Sequence, residues 1–285
     1  MGFIFTLVIG LLGIAYWQLP RILRYSMRAP RIAPHTHPAE QGLNYTAFEL
    51  ISAKQKRLQA WFIPAPTVPA PAVIITHGWG GNAALMLPLV KPLHAAGFAV
   101  LLFDARCHGA SEDDDYMALP RFAEDTEAAL TWLQQSADIQ PQAISLLGHS
   151  VGAAAVLLVA SRRHDLHKVV SISAFAHPER MMRRWLLSKH IPRWLIDKFI
   201  LPEVEHAIGF KFAQIAPENT ISQIQCPVLL AHGLQDNIVP VADAQAIYTQ
   251  RAQTQVELLL VNGNHEQFAE QAQQMQRVIQ FLKIP

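Results

Sequence analysis

Gly148-His149-Ser150-Val151-Gly152 follows an apolar run, Ala143 to Leu147, and precedes a small-residue helical pattern, Ala153 to Ala160. A strand that turns sharply into a helix is the context in which G-x-S-x-G presents a nucleophile. The two glycines suit a turn so tight that side chains there would strike the strand and the helix. Ser150 is then exposed at the strand's end, and the N–H of Val151 points the same way. The plain alternative is a chance pentapeptide, because Gly and Ser are common in turns of every kind.

On either side, the same kind of segment recurs. Ala72 to Thr76, Ala99 to Phe103, Val169 to Ile172 and Val228 to Ala231 are short, apolar throughout and bounded by turn residues. Strands without polar alternation are covered on both faces, as in a parallel sheet. Helix-length segments lie between them: Ala83 to Ala96, Arg121 to Gln135 and Val151 to Arg163. The second carries an apolar stripe at Phe122, Thr126, Ala129, Leu130 and Leu133. Alternation of this sort predicts a doubly wound, mostly parallel α/β sheet with right-handed crossovers. Ahead of it, Thr46 to Ile51 and Leu58 to Ile63 alternate as an antiparallel pair would. Ligands of such sheets bind beyond the carboxyl ends of the strands.

A serine hydroxyl attacks only when a base takes its proton, and that base needs an acid to orient it. The strand Val228 to Ala231 runs into His232-Gly233-Leu234-Gln235-Asp236, and the strand Val256 to Val261 into Asn262-Gly263-Asn264-His265. Asp236 and His265 are therefore expected on the sheet edge that carries Ser150. Taken singly, each reads as well as a turn aspartate or a helix-capping histidine. An oxyanion hole also needs two backbone donors. The N–H groups of Val151 and of Trp79, in the loop His77-Gly78-Trp79-Gly80-Gly81, are the candidates. A long helix from Glu266 to Leu282 is predicted to close the chain.

On these motifs the chain resembles the α/β-hydrolase superfamily, in its serine hydrolase branch of esterases, lipases and thioesterases, from about Thr46 to the C-terminus. The resemblance implies Ser150, Asp236 and His265 as catalytic residues, with Trp79 and Val151 at the oxyanion hole. It also implies cleavage of carboxylic or lipid esters, or thioesters, through an acyl-enzyme. The loop Asp104-Ala105-Arg106-Cys107-His108-Gly109 looks like one that is mainly structural in the family, so Arg106 and His108 stay outside the catalytic set. An acyltransferase, a peptidase or a non-catalytic binding protein of the same fold are the alternatives.

The remaining composition narrows the field. A net charge of +1 over 285 residues leaves no electrostatic footprint for nucleic acid. Two distant cysteines make no disulfide framework, and no CxxC or HExxH spacing occurs, so neither a metal nor a cofactor is expected. Gly2 to Leu19 is uncharged and nearly all apolar, long enough for a helix to cross a bilayer. Arg21, Arg24, Arg28 and Arg31 follow it, which predicts a single-pass anchor with the remaining chain in the cytoplasm. The rival is a cleaved signal peptide, which would carry its positive charge before the apolar run. The expected organisation is an anchor at 1–20, a juxtamembrane linker at 21–44 and a hydrolase domain at 45–285. Within that domain, about 176–222 break the alternation with short helices rich in Arg, Lys, Met and Trp. They read as a lid whose basic amphipathic character suits a membrane surface, or as an ordinary helical pair packed on the sheet. Oligomeric state is not legible.

Overall fold

In the computed structural model, residues 17–252, 255–266 and 272–283 are described. Eight strands form one sheet: β1 (Thr46–Ile51), β2 (Arg57–Ile63), β3 (Ala70–Thr76), β4 (Ala99–Phe103), β5 (Ile139–His149), β6 (Val169–Ile172), β7 (Val228–Gly233) and β8 (Val256–Val261). Their spatial order is β1-β2-β4-β3-β5-β6-β7-β8. The β1–β2 and β2–β4 pairs are antiparallel, and every later pair is parallel. The parallel register brings Thr76 beside Gly148, Gly148 beside Ser171 and Gly233 beside Val261. The loops that follow β3, β5, β7 and β8 therefore open on one edge.

Continuous apolar strands are explained by two cores. Alternate residues of one strand go to opposite faces. Ala72 and Ile74 of β3, with Leu101 and Phe103 of β4, join one cluster. Val73 and Ile75, with Val100 and Leu102, join the other. Among the described residues, eight helices of at least eight residues accompany the sheet: α1 (residues 17–26), α2 (Leu87–Ala95), α3 (Leu119–Gln134), α4 (Val151–Arg162), α5 (Pro178–Ser188), α6 (Leu201–Ile208), α7 (Val241–Thr249) and α8 (Ala272–Lys283). The first core receives α3 and α4, and the second receives α2 and α8. On α3 the expected stripe of Phe122, Thr126, Ala129, Leu130 and Leu133 is buried. Helix α4 is buried over eleven of its twelve residues, which is why it is built of Ala, Val and Leu with no polar face.

Three expectations change in detail. The helix expected from Ala83 begins as a 3-10 turn, Ala83–Met86, before α2. Glu266 is not helical, and the described part of the last helix is α8. Helix α7, between Asp236 and β8, was not expected at all.

Between β6 and β7 lies an all-helical insertion containing α5, α6 and several shorter turns. It has its own small core, in which Leu186, Ile196, Ile200, Leu201, Val204 and Phe212 pack with Leu23 of α1. Its arginines are not a free basic face. Arg180 pairs with Glu218, Arg183 with Glu179 and Asp197, Arg184 with Asp243 and Arg193 with Asp197. Glu218 and Asp243 come from distant chain, so counting charges along α5 overstated its surplus.

Most of the expected anchor, residues 1–16, lies outside the described residues. Among the described residues no helix is long and apolar enough to cross a membrane. In the stretch read as a linker, the chain stays helical to Ser26 and then runs across the domain, where Met117 N–H donates to Met27 O at 3.0 Å.

Candidate active site

Ser150 sits between β5 and α4 with φ +56° and ψ −119°, a conformation that non-glycine residues rarely adopt. The surrounding glycines permit it. A Cβ on Gly152 would collide with the carbonyl oxygens of Thr76 and His77, and one on Gly148 with the carbonyl of Gly152. The turn is held by Ser150 N–H donating to Ile172 O at 2.9 Å. Val151 is the first residue of α4, so its N–H has no acceptor within the helix.

The glycine-rich loop after β3 is fixed by His77. As a carbonyl only accepts, His77 Nδ1–H donates to Gly78 O at 2.7 Å, and Nε2 accepts from Ala105 N–H at 2.9 Å. Burial holds this imidazole neutral, lowering its pKa to about 4. Gly78 reaches the turn at Ser150 closely, and a Cβ there would lie 3.1 Å from the Ser150 Cβ. The Trp79 ring meets His108 edge-on at 5.8 Å and lies tilted 6.5 Å from Phe122. Gly78, Trp79, Ser150 and Val151 line one cavity.

Asp236 and His265 meet as their strand ends imply, with His265 Nδ1 and Asp236 Oδ2 2.7 Å apart. The carboxylate can only accept, so Nδ1 carries the proton and Nε2 is left with the lone pair. Burial alone would raise the Asp236 pKa. Hydrogen bonds from His232, His265 and the Val239 N–H outweigh it and hold the carboxyl well below the usual range. Its other oxygen accepts from the N–H groups of Ile238 and Val239 at 2.9 and 2.8 Å. His265 lines the same cavity as Ser150.

Arg106 and His108 stand apart from this group. Arg106 is fully buried, with Nε 2.8 Å from Asp125 and Nη2 2.6 Å from Glu124. His108 donates from Nδ1 to Arg106 O at 2.8 Å. Both brace the loop after β4.

Two features escaped sequence reasoning. His149, the variable residue of the motif, donates from Nε2 to His265 O at 2.9 Å, and nothing in its spacing announces this. The cavity of about 600 Å³ is also walled by Leu23, Ser26, Met27 and Ile32 from the N-terminal segment. There a signal existed: Leu19, Leu23 and Met27 recur every fourth residue, the stripe of a packed helix. The remaining wall is overwhelmingly apolar and draws on α5, α6 and the loop before α3. Among the described residues no cluster of His, Cys, Asp or Glu is arranged to hold a metal ion.

An eight-stranded, mostly parallel sheet with a serine on a strained strand-to-helix turn defines an α/β hydrolase. Residues 67–219, just over half of the chain, match the family described as serine aminopeptidase, S33, and the chain belongs to this family of α/β hydrolases. The matched region holds Trp79, Ser150 and Val151 but ends before Asp236 and His265. The chain is 29% identical over 216 residues to the uncharacterized protein YfhR of Escherichia coli K12, covering 73% of this chain and 69% of that protein. Against YfhR of Salmonella typhimurium it is 24% identical over 265 residues, with 90% and 86% covered. Among solved structures, the Pyrococcus furiosus esterase Pf2001 superposes with a TM-score of 0.74 at 24% identity, over 90% of this chain and 96% of that one. Acetyl xylan esterase 1 from Thermoanaerobacterium gives 0.65 at 20% identity, over 92% and 98%.

Proposed function

We propose that the protein is a serine hydrolase that cleaves carboxylic esters or thioesters with an apolar acyl group. The observation that carries this reading is the 2.7 Å Asp236–His265 pair, whose histidine lines the same cavity as Ser150. In the proposed reaction, His265 Nε2 takes the Ser150 proton as Oγ attacks the acyl carbonyl. The N–H groups of Val151 and Trp79 stabilise the oxyanion, each worth ~3–4 kcal/mol in such a site. Collapse breaks the bond to the alcohol or thiol, which leaves with the proton from His265. Water, deprotonated by the same imidazole, then frees the acid and restores Ser150. Asp236 fixes the tautomer and stabilises the imidazolium throughout.

The apolar wall supports an acyl group rather than a charged substrate. The family description favours a second reading, an aminopeptidase, which would need a carboxylate to receive the substrate's α-ammonium. Glu266 is the acidic side chain available on the wall among the described residues. A fluorophosphonate probe tests the nucleophile: wild type should label and Ser150→Ala should not, and a folded wild type without labelling sinks the hydrolase reading. Comparing p-nitrophenyl esters with aminoacyl p-nitroanilides separates esterase from peptidase. Turnover of the anilides alone would favour the latter.

The proposal includes the expected single-pass anchor with the domain on the cytoplasmic side, supported by the apolar run at 2–19 and the arginines behind it. Two of those arginines also dock the domain. Arg28 Nε donates to Asp115 O at 3.2 Å, and Arg31 Nη1 to Gly109 O and Ser111 O at 2.8 Å. Release of the full chain from membranes by a carbonate wash would overturn the anchor.

A further inference from the structure

Residues 23–32, the end of α1 and the chain that follows it, lie outside the family match, yet they form part of the cavity that holds Ser150. Its fixation is built from both ends. Leu23 is 8% exposed and buried in the core of the helical insertion. Further on, Met27 O accepts from Met117 N–H, Arg31 donates to two carbonyls of the loop after β4, and Ile32 O accepts from Asn82 Nδ2 at 3.0 Å. Pro30 lies against Gly80 of the glycine-rich loop, so closely that a Cβ there would come within 3.1 Å. The segment is thus a strap that ties the insertion to the loops after β3 and β4, with Leu23, Ser26, Met27 and Ile32 turned to the cavity.

The chemistry of the wall indicates what it receives. Five of the protein's seven methionines line the cavity, namely Met27, Met86, Met117, Met181 and Met182. Unbranched thioethers repack at low cost around a flexible partner, and Trp79, Phe175, Trp185 and Phe212 complete the apolar surface around them. A volume of about 600 Å³ is in the middle of the range for small-molecule sites and far exceeds the needs of an acetyl group.

We propose that the strap at residues 23–32 is a specificity-determining wall, and that Leu23 and Met27 select esters of long, unbranched acyl chains by packing along the chain. The inference rests on the hydrolase reading and names the acyl class for the same site. Each methylene buried against this wall is worth about fourfold in kcat/KM, so changes in the wall register as a change in chain-length profile.

The experiment compares wild type, Met27→Trp and Met27→Ala on p-nitrophenyl esters from acetyl to hexadecanoyl, with fluorophosphonate labelling of Ser150 in each. In Met27→Trp the ratio of dodecanoyl to acetyl kcat/KM is expected to fall about tenfold or more, because the indole occupies the space of two or three methylenes. In Met27→Ala the optimum is expected to move to longer or bulkier chains. Profiles that coincide with wild type in variants that still label would overturn the strap's role while leaving the hydrolase reading intact. Should Met27→Trp fail to label, Met27→Ala decides, since it removes volume and introduces no clash. A wild type that does not label overturns the hydrolase reading and the strap's role with it.

Discussion

His149 Nε2 donates to the backbone carbonyl of His265 at 2.9 Å, and the two rings lie 4.9 Å apart at 52°. The residue beside the proposed nucleophile thus holds the backbone of the proposed base, 116 positions later in the chain. Burial is the main reason that the His149 pKa is lowered, so the ring is a neutral donor. His149→Ala removes the donor and leaves a buried carbonyl without it, at a cost of about 1–3 kcal/mol. Ester hydrolysis is expected to fall about tenfold or more, with a lowered melting temperature. His149→Gln, which can still donate, should recover part of both, and an unchanged rate in the alanine variant would remove His149 from any positioning role.

Asp236→Asn tests the acid separately from the nucleophile. An amide can present an N–H to Nδ1, which stabilises the opposite tautomer and places the proton on Nε2. The expected loss in kcat is about 10⁴-fold with KM little changed, as in other sites of this design. Steady-state kinetics decide it, and a loss under tenfold would argue that His265 does not depend on this carboxylate.

Gly152→Ala bears on folding rather than chemistry. The added methyl meets the Thr76 and His77 carbonyl oxygens, both parts of the sheet and its following loop, so no flexible group can yield. A destabilisation of about 3 kcal/mol or more is expected, read as a lowered urea midpoint. Gly97→Ala is the comparison for a glycine with open space around it but positive φ (+97°).

The buried histidines predict acid sensitivity. Burial lowers His77 to about 4 and His108 to about 3, against 6.5 for an unfolded chain. As pH falls below 6.5 the unfolded state takes up protons that the folded state refuses. Stability is therefore lost on acidification down to about 4, at about 1.4 kcal/mol per pH unit for each histidine. Below that pH His77 protonates in the folded state too, and its share of the loss levels off. His108→Asn keeps a donor for Arg106 O and removes one titrating group. Its melting temperature should vary less between pH 6.5 and 4 than that of wild type, and an identical slope would exclude His108 as a source.

The parallel sheet, the tight turn at Ser150 and the strand-end loops that carry Asp236 and His265 were legible because each depends on short-range rules. A strand covered on both faces must be apolar at every position, as Val73 to Ile75 and Val100 to Leu102 are. A turn as tight as that at Ser150 needs glycine at 148 and 152, whatever surrounds it. Other features had to await tertiary structure, because they join residues whose sequence distance carries no information. Glu218 and Asp243 pair with Arg180 and Arg184, so these two arginines of the helical insertion are not free charges. Residues 23–32 look like a tether by composition, and only the folded chain places them on the cavity wall. Local sterics and periodicity are written residue by residue, whereas pairing between distant segments follows from how the sheet and the insertion bring them together.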